Sequence, residues 1–288
     1  MTPIRTIGII SKPRKEDLCA IVPALTTWLK ERQLEVVYDE ETAKCIDSPS
    51  QAVSRSELGR RADLAVVLGG DGTLLAAARA LGEHDIPILA INLGGLGFLT
   101  SFPREELYNA LTLVLAGNYR ISERVLLDAA LERGGSVIER HRALNDVVVN
   151  KSTMARILDL DLYFDGNYAC SYKADGIIFS TPTGSTAYSL SAGGPIVQPQ
   201  VGAVVVTPIC PHALSNRSLV VPDQMKIELV VASGQEDAFL TIDGQVGVEL
   251  RNADRVIVTK ARNKLKLIRP SEKIYFEILR AKLKWAAR

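Results

Sequence analysis

Short apolar runs alternate with longer, helically spaced segments along the first third of the chain. Thr6-Ile7-Gly8-Ile9-Ile10 reads as a strand, about Glu16 to Arg32 as an amphipathic helix, and Glu35-Val36-Val37-Tyr38 as a second strand. Leu64 to Leu68 and Pro87 to Ile91 are further strands. Thr73 to Leu81 predicts a helix stopped near Gly82, and Pro103 to Leu115 a helix with proline at its start. Alternation of this kind implies an α/β domain with a parallel sheet. After Gly117 the segments shorten: Arg142 to Asn150 and Ile157 to Phe164 read as strands, with hairpin signals at Asp165-Gly166 and Asp243-Gly244. A β-rich second domain is expected there. From Tyr275 to Trp285 the spacing is helical again, with Tyr275, Leu279 and Leu283 on one face, and this tail is expected to pack back on the first domain. The α/β domain is therefore expected at 1–118 plus about 270–288, and the β-rich domain at 119–269.

Composition narrows the function classes. A chain of 288 residues with 47% hydrophobic and 23% charged residues can bury a core without staples, and a net charge of +1 provides no global field for nucleic acid or a membrane surface. Any anion site must be local. Cys19, Cys45, Cys170 and Cys210 form no CxxC pair and meet no histidine at zinc spacing, which predicts free thiols and a cytoplasmic location. No apolar h-region follows Met1, and no stretch has the character of a bilayer span. Between Gly176 and Asn216 there is no Asp, Glu, Lys or Arg, yet the stretch is rich in Gly, Pro, Ser and Thr. It reads as buried or ligand-facing irregular structure.

Four places carry candidate chemistry. Gly69-Gly70-Asp71-Gly72 follows the apolar run ending at Leu68, which places a carboxylate on a glycine turn where an anionic ligand can approach the backbone. By itself the tetrapeptide fits a capped strand-to-helix turn equally well. Asn145-Asp146 opens a strand with an amide and a carboxylate, suited to a ribose diol or a base edge, or simply to a turn. Thr181 to Pro195 places six Ser or Thr hydroxyls and three glycines in fifteen uncharged positions, a source of neutral hydrogen bonds, with Tyr188 available to stack on a planar base or to fill a core. Lys173 and Asp175 lie two apart on an extended chain, so they either bracket a polar ligand or form a surface pair. Cys210-Pro211-His212 lacks further ligands at useful spacing. No Walker loop, no GxGxxG after the first strand and no GxSxG elbow is present.

Gly69 to Leu75, Ile91-Asn92-Leu93-Gly94-Gly95-Leu96-Gly97-Phe98-Leu99-Thr100, Asn145-Asp146 and Thr181 to Pro195, taken in order, resemble the bacterial type of NAD kinase over nearly the whole chain. The glycine–aspartate turn alone is shared with diacylglycerol kinases and phosphofructokinases. The resemblance implies an N-terminal α/β domain completed by the C-terminal tail, a β-rich C-terminal domain, and a site between them. It implies ATP-dependent phosphorylation of the adenosine-ribose 2′-hydroxyl of NAD, a divalent cation (Mg²⁺ or Mn²⁺), and a homodimer or homotetramer. It further implies that Asp71 is the catalytic acid–base residue with Gly72 beside it at the nucleotide, and that Asn145 and Asp146 hold the dinucleotide. Remaining contacts would fall on Arg156, Lys173, Asp175, Thr186, Ala187, Tyr188, Ser189, Leu190, Ser191 and Gln245. Asp146 stands where the family more often has glutamate. Lys173 stands where related chains often have arginine, and where those accepting NADH tend to have a small residue, so a preference for NAD over NADH is expected.

Overall fold

The computed structural model describes residues 4–12, 17–46, 52–95, 97–152, 157–213, 215–232, 238–269 and 275–285. The chain divides into two compact units, 1–123 with 265–288, and 124–264.

In the first unit, β1 (Thr6–Ser11), α1 (Leu18–Lys30), β2 (Glu35–Asp39), α2 (Glu40–Ala43), β3 (Ala52–Val53), α3 (Arg55–Arg61), β4 (Leu64–Gly69), α4 (Asp71–Leu81) and β5 (Pro87–Asn92) follow one another. They continue into β6 (Phe102–Pro103), α5 (Leu107–Leu115) and β7 (Arg120–Arg124). β4, and β1 between Ile7 and Ile10, read as apolar runs without polar alternation because parallel central strands are covered on both faces. On one face, the Leu18, Ile21, Val22, Leu25 and Leu29 stripe of α1 and the Leu107, Leu111 and Val114 stripe of α5 share a core with Ile7, Ile9, Val66 and Leu89. Leu58 of α3 and Leu74, Ala78 and Leu81 of α4 are buried outside that core, and Gly8 abuts Leu58.

The second unit is built from β8 (Leu127–Arg133), β9 (Ser136–Ala143), β10 (Asp146–Lys151), β11 (Leu158–Phe164), β12 (Asn167–Ala174) and β13 (Gly176–Ser180). After the one-turn helix α6 (Tyr188–Ser191) come β14 (Ala203–Ile209), β15 (Leu219–Pro222), β16 (Ile227–Val231), β17 (Ala238–Ile242), β18 (Val246–Leu250) and β19 (Arg255–Lys260). Two six-stranded sheets, ordered β15-β14-β13-β10-β17-β18 and β12-β11-β16-β19-β8-β9, contribute inward residues such as Val147, Phe179, Leu160 and Leu229 to one core.

The chain then returns to the first unit as β20 (Leu265–Arg269) and α7 (Tyr275–Leu283). β20 pairs in parallel with β5, and the first sheet runs β3-β2-β1-β4-β5-β20-β7 with β6 beside β5. Because β7 and β20 both belong to that sheet, the division falls after Glu123 and before Leu265 rather than after 118 and at about 270.

Three local expectations change. Phe102-Pro103 is still paired with Ile91-Asn92, so the helix expected from Pro103 begins at Leu107 after a single 3-10 turn. The strand expected from Arg142 to Asn150 is broken at Leu144-Asn145, between β9 and β10. In α7 the buried residues are Ile278 and Leu279, while Tyr275 and Leu283 are only half-buried. Among the described residues no helix is long and apolar enough to cross a membrane.

Candidate active site

The strand order of the first unit reverses at β1 and β4, and in open parallel sheets the crevice outside the strand C-termini at such a point receives the ligand. Lys12, just past β1, and Gly70, just past β4, line a cleft of about 350 Å³ there together with Arg55, Gly72, Thr73 and Ala76. Gly70 caps α4 in an extended conformation, so the N-terminus of α4, with the positive end of its helix dipole, lies on the same cleft as the two cations. Arg55 is aimed by Asp39, whose Oδ2 accepts from Arg55 Nε at 2.8 Å, while Asp39 Oδ1 caps α2 through the Thr42 amide at 2.9 Å.

Asp71 opens α4 and is fixed by the second glycine-rich loop. Its Oδ1 accepts from the Leu99 amide at 3.2 Å, the Thr100 amide at 3.0 Å and the Thr100 hydroxyl at 2.9 Å; among the described residues its Oδ2 accepts from the Phe98 amide alone, at 2.9 Å. Oδ1 is therefore filled, whereas Oδ2 retains a lone pair. Asn92 ties the loop to itself, donating to Gly95 O and Thr100 Oγ1, both at 2.8 Å, and accepting from the Gly94 amide at 2.7 Å. Gly97 is required by this arrangement, since an added methyl would strike Asp71 Oδ1 and Thr100 Oγ1. Gly97→Ala should lower urea-measured stability by about 1–3 kcal/mol and reduce turnover with it; wild-type turnover and stability together would show that the loop yields freely.

In the second unit the break at Leu144-Asn145 is held by Asp243, at the turn between β17 and β18. The Asp243 carboxylate accepts from the amides of Leu144 at 3.2 Å, Asn145 at 2.8 Å and Asp146 at 3.2 Å. From the other side, Thr181 donates its hydroxyl to Leu144 O at 2.6 Å and its amide to Asn145 O at 2.9 Å. Gly184 lies so close that a Cβ would collide with the backbone of Asn145. Asp146 itself is 4% exposed, and burial, reinforced by the nearby Asp243 charge, pushes its carboxyl up to about 7.

The sequence model of the ATP-NAD kinase N-terminal domain matches residues 7–119, and that of the ATP-NAD kinase C-terminal domain matches residues 144–270. The NAD kinase of Solibacter usitatus is 49% identical over 288 residues, covering 100% of both chains. The chain belongs to the NAD kinase family. The NAD kinase of Koribacter versatilis is 47% identical over 286 residues, covering 99% of this chain and all of its own. Among solved structures, yeast NADH kinase complexed with NADH superposes with a TM-score of 0.91 at 29% identity, covering 100% of this chain and 90% of that one. An NAD kinase from Archaeoglobus fulgidus in complex with ATP gives 0.74 at 25% identity, covering 98% and 100%. Members of the NAD kinase family are phosphotransferases acting on an alcohol group, and this chain is one of them.

The residues expected from the NAD kinase resemblance fall into distinct surroundings. Asp71 and Gly72 lie together on α4, with Gly72 exposed to the cleft. Asn145, Asp146 and the backbone of the Thr181 segment are brought together, and Gln245 sits exposed on the turn that carries Asp243. Thr186 and Ala187 are partly exposed, Leu190 is half-buried, Tyr188 is 46% exposed and Ser191 is open to solvent. Ser189 is different: fully buried, its hydroxyl is paired with that of Thr207 at 3.0 Å, a bond that fixes α6 against β14. Thr181 and Ser185 are likewise engaged inside the fold, so the loop offers a ligand fewer hydroxyls than its composition suggests. Lys173 and Asp175 each have an ion-pair partner on a neighbouring strand. Lys173 pairs with Asp159 on β11 at 3.4 Å, and Asp175 with Lys151 on β10 at 2.9 Å. Arg156 lies outside the described residues.

Sequence reading missed Lys12, Arg55 and the anchoring role of Asp243. Asp243 was visible only as the first residue of a hairpin turn, and neither cation stands in a recognisable motif.

Proposed function

We propose that the chain transfers the γ-phosphoryl group of ATP to the 2′-hydroxyl of the adenosine ribose of NAD, giving NADP. The observation that carries this reading is Asp71: a carboxylate immobilised by four donors beside a cationic cleft, with one oxygen still able to accept a proton. Full-length similarity to NAD kinases, and to structures holding NADH and ATP, supports the choice of substrates. An aliphatic hydroxyl is a weak nucleophile, and phosphoryl transfer asks for alignment, charge neutralisation and an acceptor for the departing proton. Asp71 Oδ2 takes that proton as the new O–P bond forms. Lys12, Arg55 and the positive end of the α4 dipole hold the donor phosphates. Asn145, Asp146, the Thr186 to Ser191 segment and Gln245 hold the dinucleotide, with the exposed Tyr188 ring offering a stacking face for a base.

Among the described residues no group of three or more His, Cys, Asp or Glu side chains could hold a metal ion. This donor set does not fit a resident metal centre, but it fits a cation that arrives on the triphosphate, as Mg²⁺ commonly does with phosphate and water oxygens as its main ligands. Such an ion would neutralise phosphate charge when bound. A homodimer or homotetramer is supported by the edge strands β9 and β15, which expose Val137, Ile138, Leu219 and Val220; light scattering showing only monomer would overturn that assignment.

The activity test is incubation with ATP, Mg²⁺ and NAD, with NADP read by an NADP-specific dehydrogenase. Parallel reactions replace NAD by NADH, ATP by polyphosphate and Mg²⁺ by Mn²⁺. Faster transfer to a lipid or sugar acceptor, or no NADP under any condition, would overturn the reading. For the donor cleft, Lys12→Ala removes an exposed cation without disturbing a buried partner. It should raise KM for ATP on the order of tenfold, the effect of one hydrogen bond to a charged group, and leave KM for NAD unchanged. An equal rise in both constants would place Lys12 elsewhere in the cycle.

A further inference from the structure

Two of the four cysteines expected to be free thiols are neighbours in space. Cys19 lies in the first turn of α1 and Cys45 just beyond α2, 26 residues apart in sequence, yet their sulfur atoms are 2.9 Å apart. Both are free in this structure. We infer that Cys19 and Cys45 form a reversible disulfide in response to peroxide, fastening α1 to the segment that follows α2.

The geometry needs little change. A disulfide requires an S–S separation of about 2.05 Å, so the two sulfurs must approach by about 1 Å, within the reach of side-chain rotation. Access also differs between the two. Cys19 is exposed and Cys45 only partly so, with burial and the adjoining Cys19 sulfur pushing the Cys45 thiol up to about 11. Peroxide therefore meets Cys19 first. The Cys19 sulfur attacks one peroxide oxygen, the O–O bond breaks, and a sulfenic acid and one water result. The Cys45 sulfur then attacks the Cys19 sulfur and displaces hydroxide, which leaves as a second water with the Cys45 proton. Two thiols lose two hydrogens, and hydrogen peroxide is reduced to two waters. The high proton affinity of Cys45 makes the second step the slower one.

The bond would act on the element beside the donor cleft. The Cys45 amide is bonded to Thr42 O at 3.0 Å, the Thr42 amide to Asp39 Oδ1 at 2.9 Å, and Asp39 Oδ2 to Arg55 Nε at 2.8 Å. The Thr42 hydroxyl also reaches Ser11 at 3.0 Å, next to Lys12 in the chain. Cys170 and Cys210 serve as internal controls, since neither has a cysteine partner among the contacts seen for Cys19 and Cys45.

The test uses the purified full chain treated with hydrogen peroxide, quenched in acid, denatured and alkylated. Two of its four thiols should resist alkylation and be recovered with dithiothreitol. Cleavage after Lys30, Arg32 and Lys44 separates the two cysteines, so mass spectrometry should find their peptides joined. Cys19→Ser and Cys45→Ser should each abolish the linked species, whereas Cys170→Ser and Cys210→Ser should leave it intact. Amide exchange across residues 40–46 should slow on oxidation in the wild type but not in Cys45→Ser. Linkage to Cys170 or Cys210, linkage between molecules, or Cys19 ending as sulfinic acid beside an unmodified Cys45 would each overturn the inference. So would unchanged exchange in a protein shown to be linked, because the bond would then fasten nothing.

Discussion

Asp71→Asn is expected to lower kcat by about 10²–10⁴-fold, the usual contribution of a positioned acid–base group, with little change in KM for either substrate. Asparagine matches the size of aspartate and can turn its carbonyl oxygen toward the Leu99 amide, the Thr100 amide and the Thr100 hydroxyl. Its NH₂ then faces the Phe98 amide, so one acceptor is lost and two donors oppose each other. That conflict should cost about 1 kcal/mol of stability, far less than the loss in rate. The second oxygen, which would take the proton, is the atom replaced. Saturation kinetics of NADP formation together with a melting curve separate the two effects. Near-normal kcat would reduce Asp71 to an anchor for the loop at Phe98 to Thr100. A fall in kcat matched by a collapse in melting temperature would leave the role to Asp71→Glu, which keeps the charge but moves it. That variant should lose most of its rate if position is what matters.

Asp146→Asn is expected to make the folded protein more stable at neutral and alkaline pH while weakening NAD binding. The Asp146 carboxyl is raised from 3.8 to about 7, first by burial and then by the Asp243 charge, so the folded state holds a proton that the unfolded state has released across that window. Stability from this group is therefore full below pH 3.8 and is lost as pH rises through about 7. The loss amounts to at most about 4 kcal/mol, from three pH units at 1.36 kcal/mol each. Asparagine keeps the shape without the charge and avoids that loss. Urea unfolding at pH 8 should favour the variant, and the gap should shrink steadily toward pH 4. At pH 8, where Asp146 is ionised, KM for NAD should rise on the order of tenfold, because a charged acceptor for a ribose hydroxyl has gone. A stability difference that does not vary with pH would show that Asp146 is not the buried acid described above.

The architecture was legible where a local pattern carries it. The continuous apolar run of β4 and the glycines after it announced a parallel strand feeding a turn, and the shorter period after Gly117 announced the second unit. Asp71 and Asn145-Asp146 could be singled out because a charged or amide group beside apolar runs is conspicuous. Convergence was not legible. Asp243 holds the Asn145 turn from 98 residues away, and nothing local distinguishes it from any other Asp-Gly hairpin. Lys12 and Arg55 meet only because β1 and α3 lie on the same side of a strand-order reversal. Ser189 illustrates the opposite limit: composition marks a hydroxyl as available, and only packing shows that Thr207 already engages it. The pairing of Lys173 with Asp159 likewise follows from the β11–β12 register, which sequence spacing along one strand does not contain.

The place of β20 bears on how the molecule is made. This strand lies between β5 and β7 in the first sheet, yet it is synthesised after every strand of the second unit. The first sheet therefore lacks its inner neighbour until residues 124 to 264 have been made. Completion of the glycine-turn unit thus waits for a strand that follows the whole second unit in the chain, and a chain cut before Leu265 would leave β5 and β7 without the neighbour that stands between them.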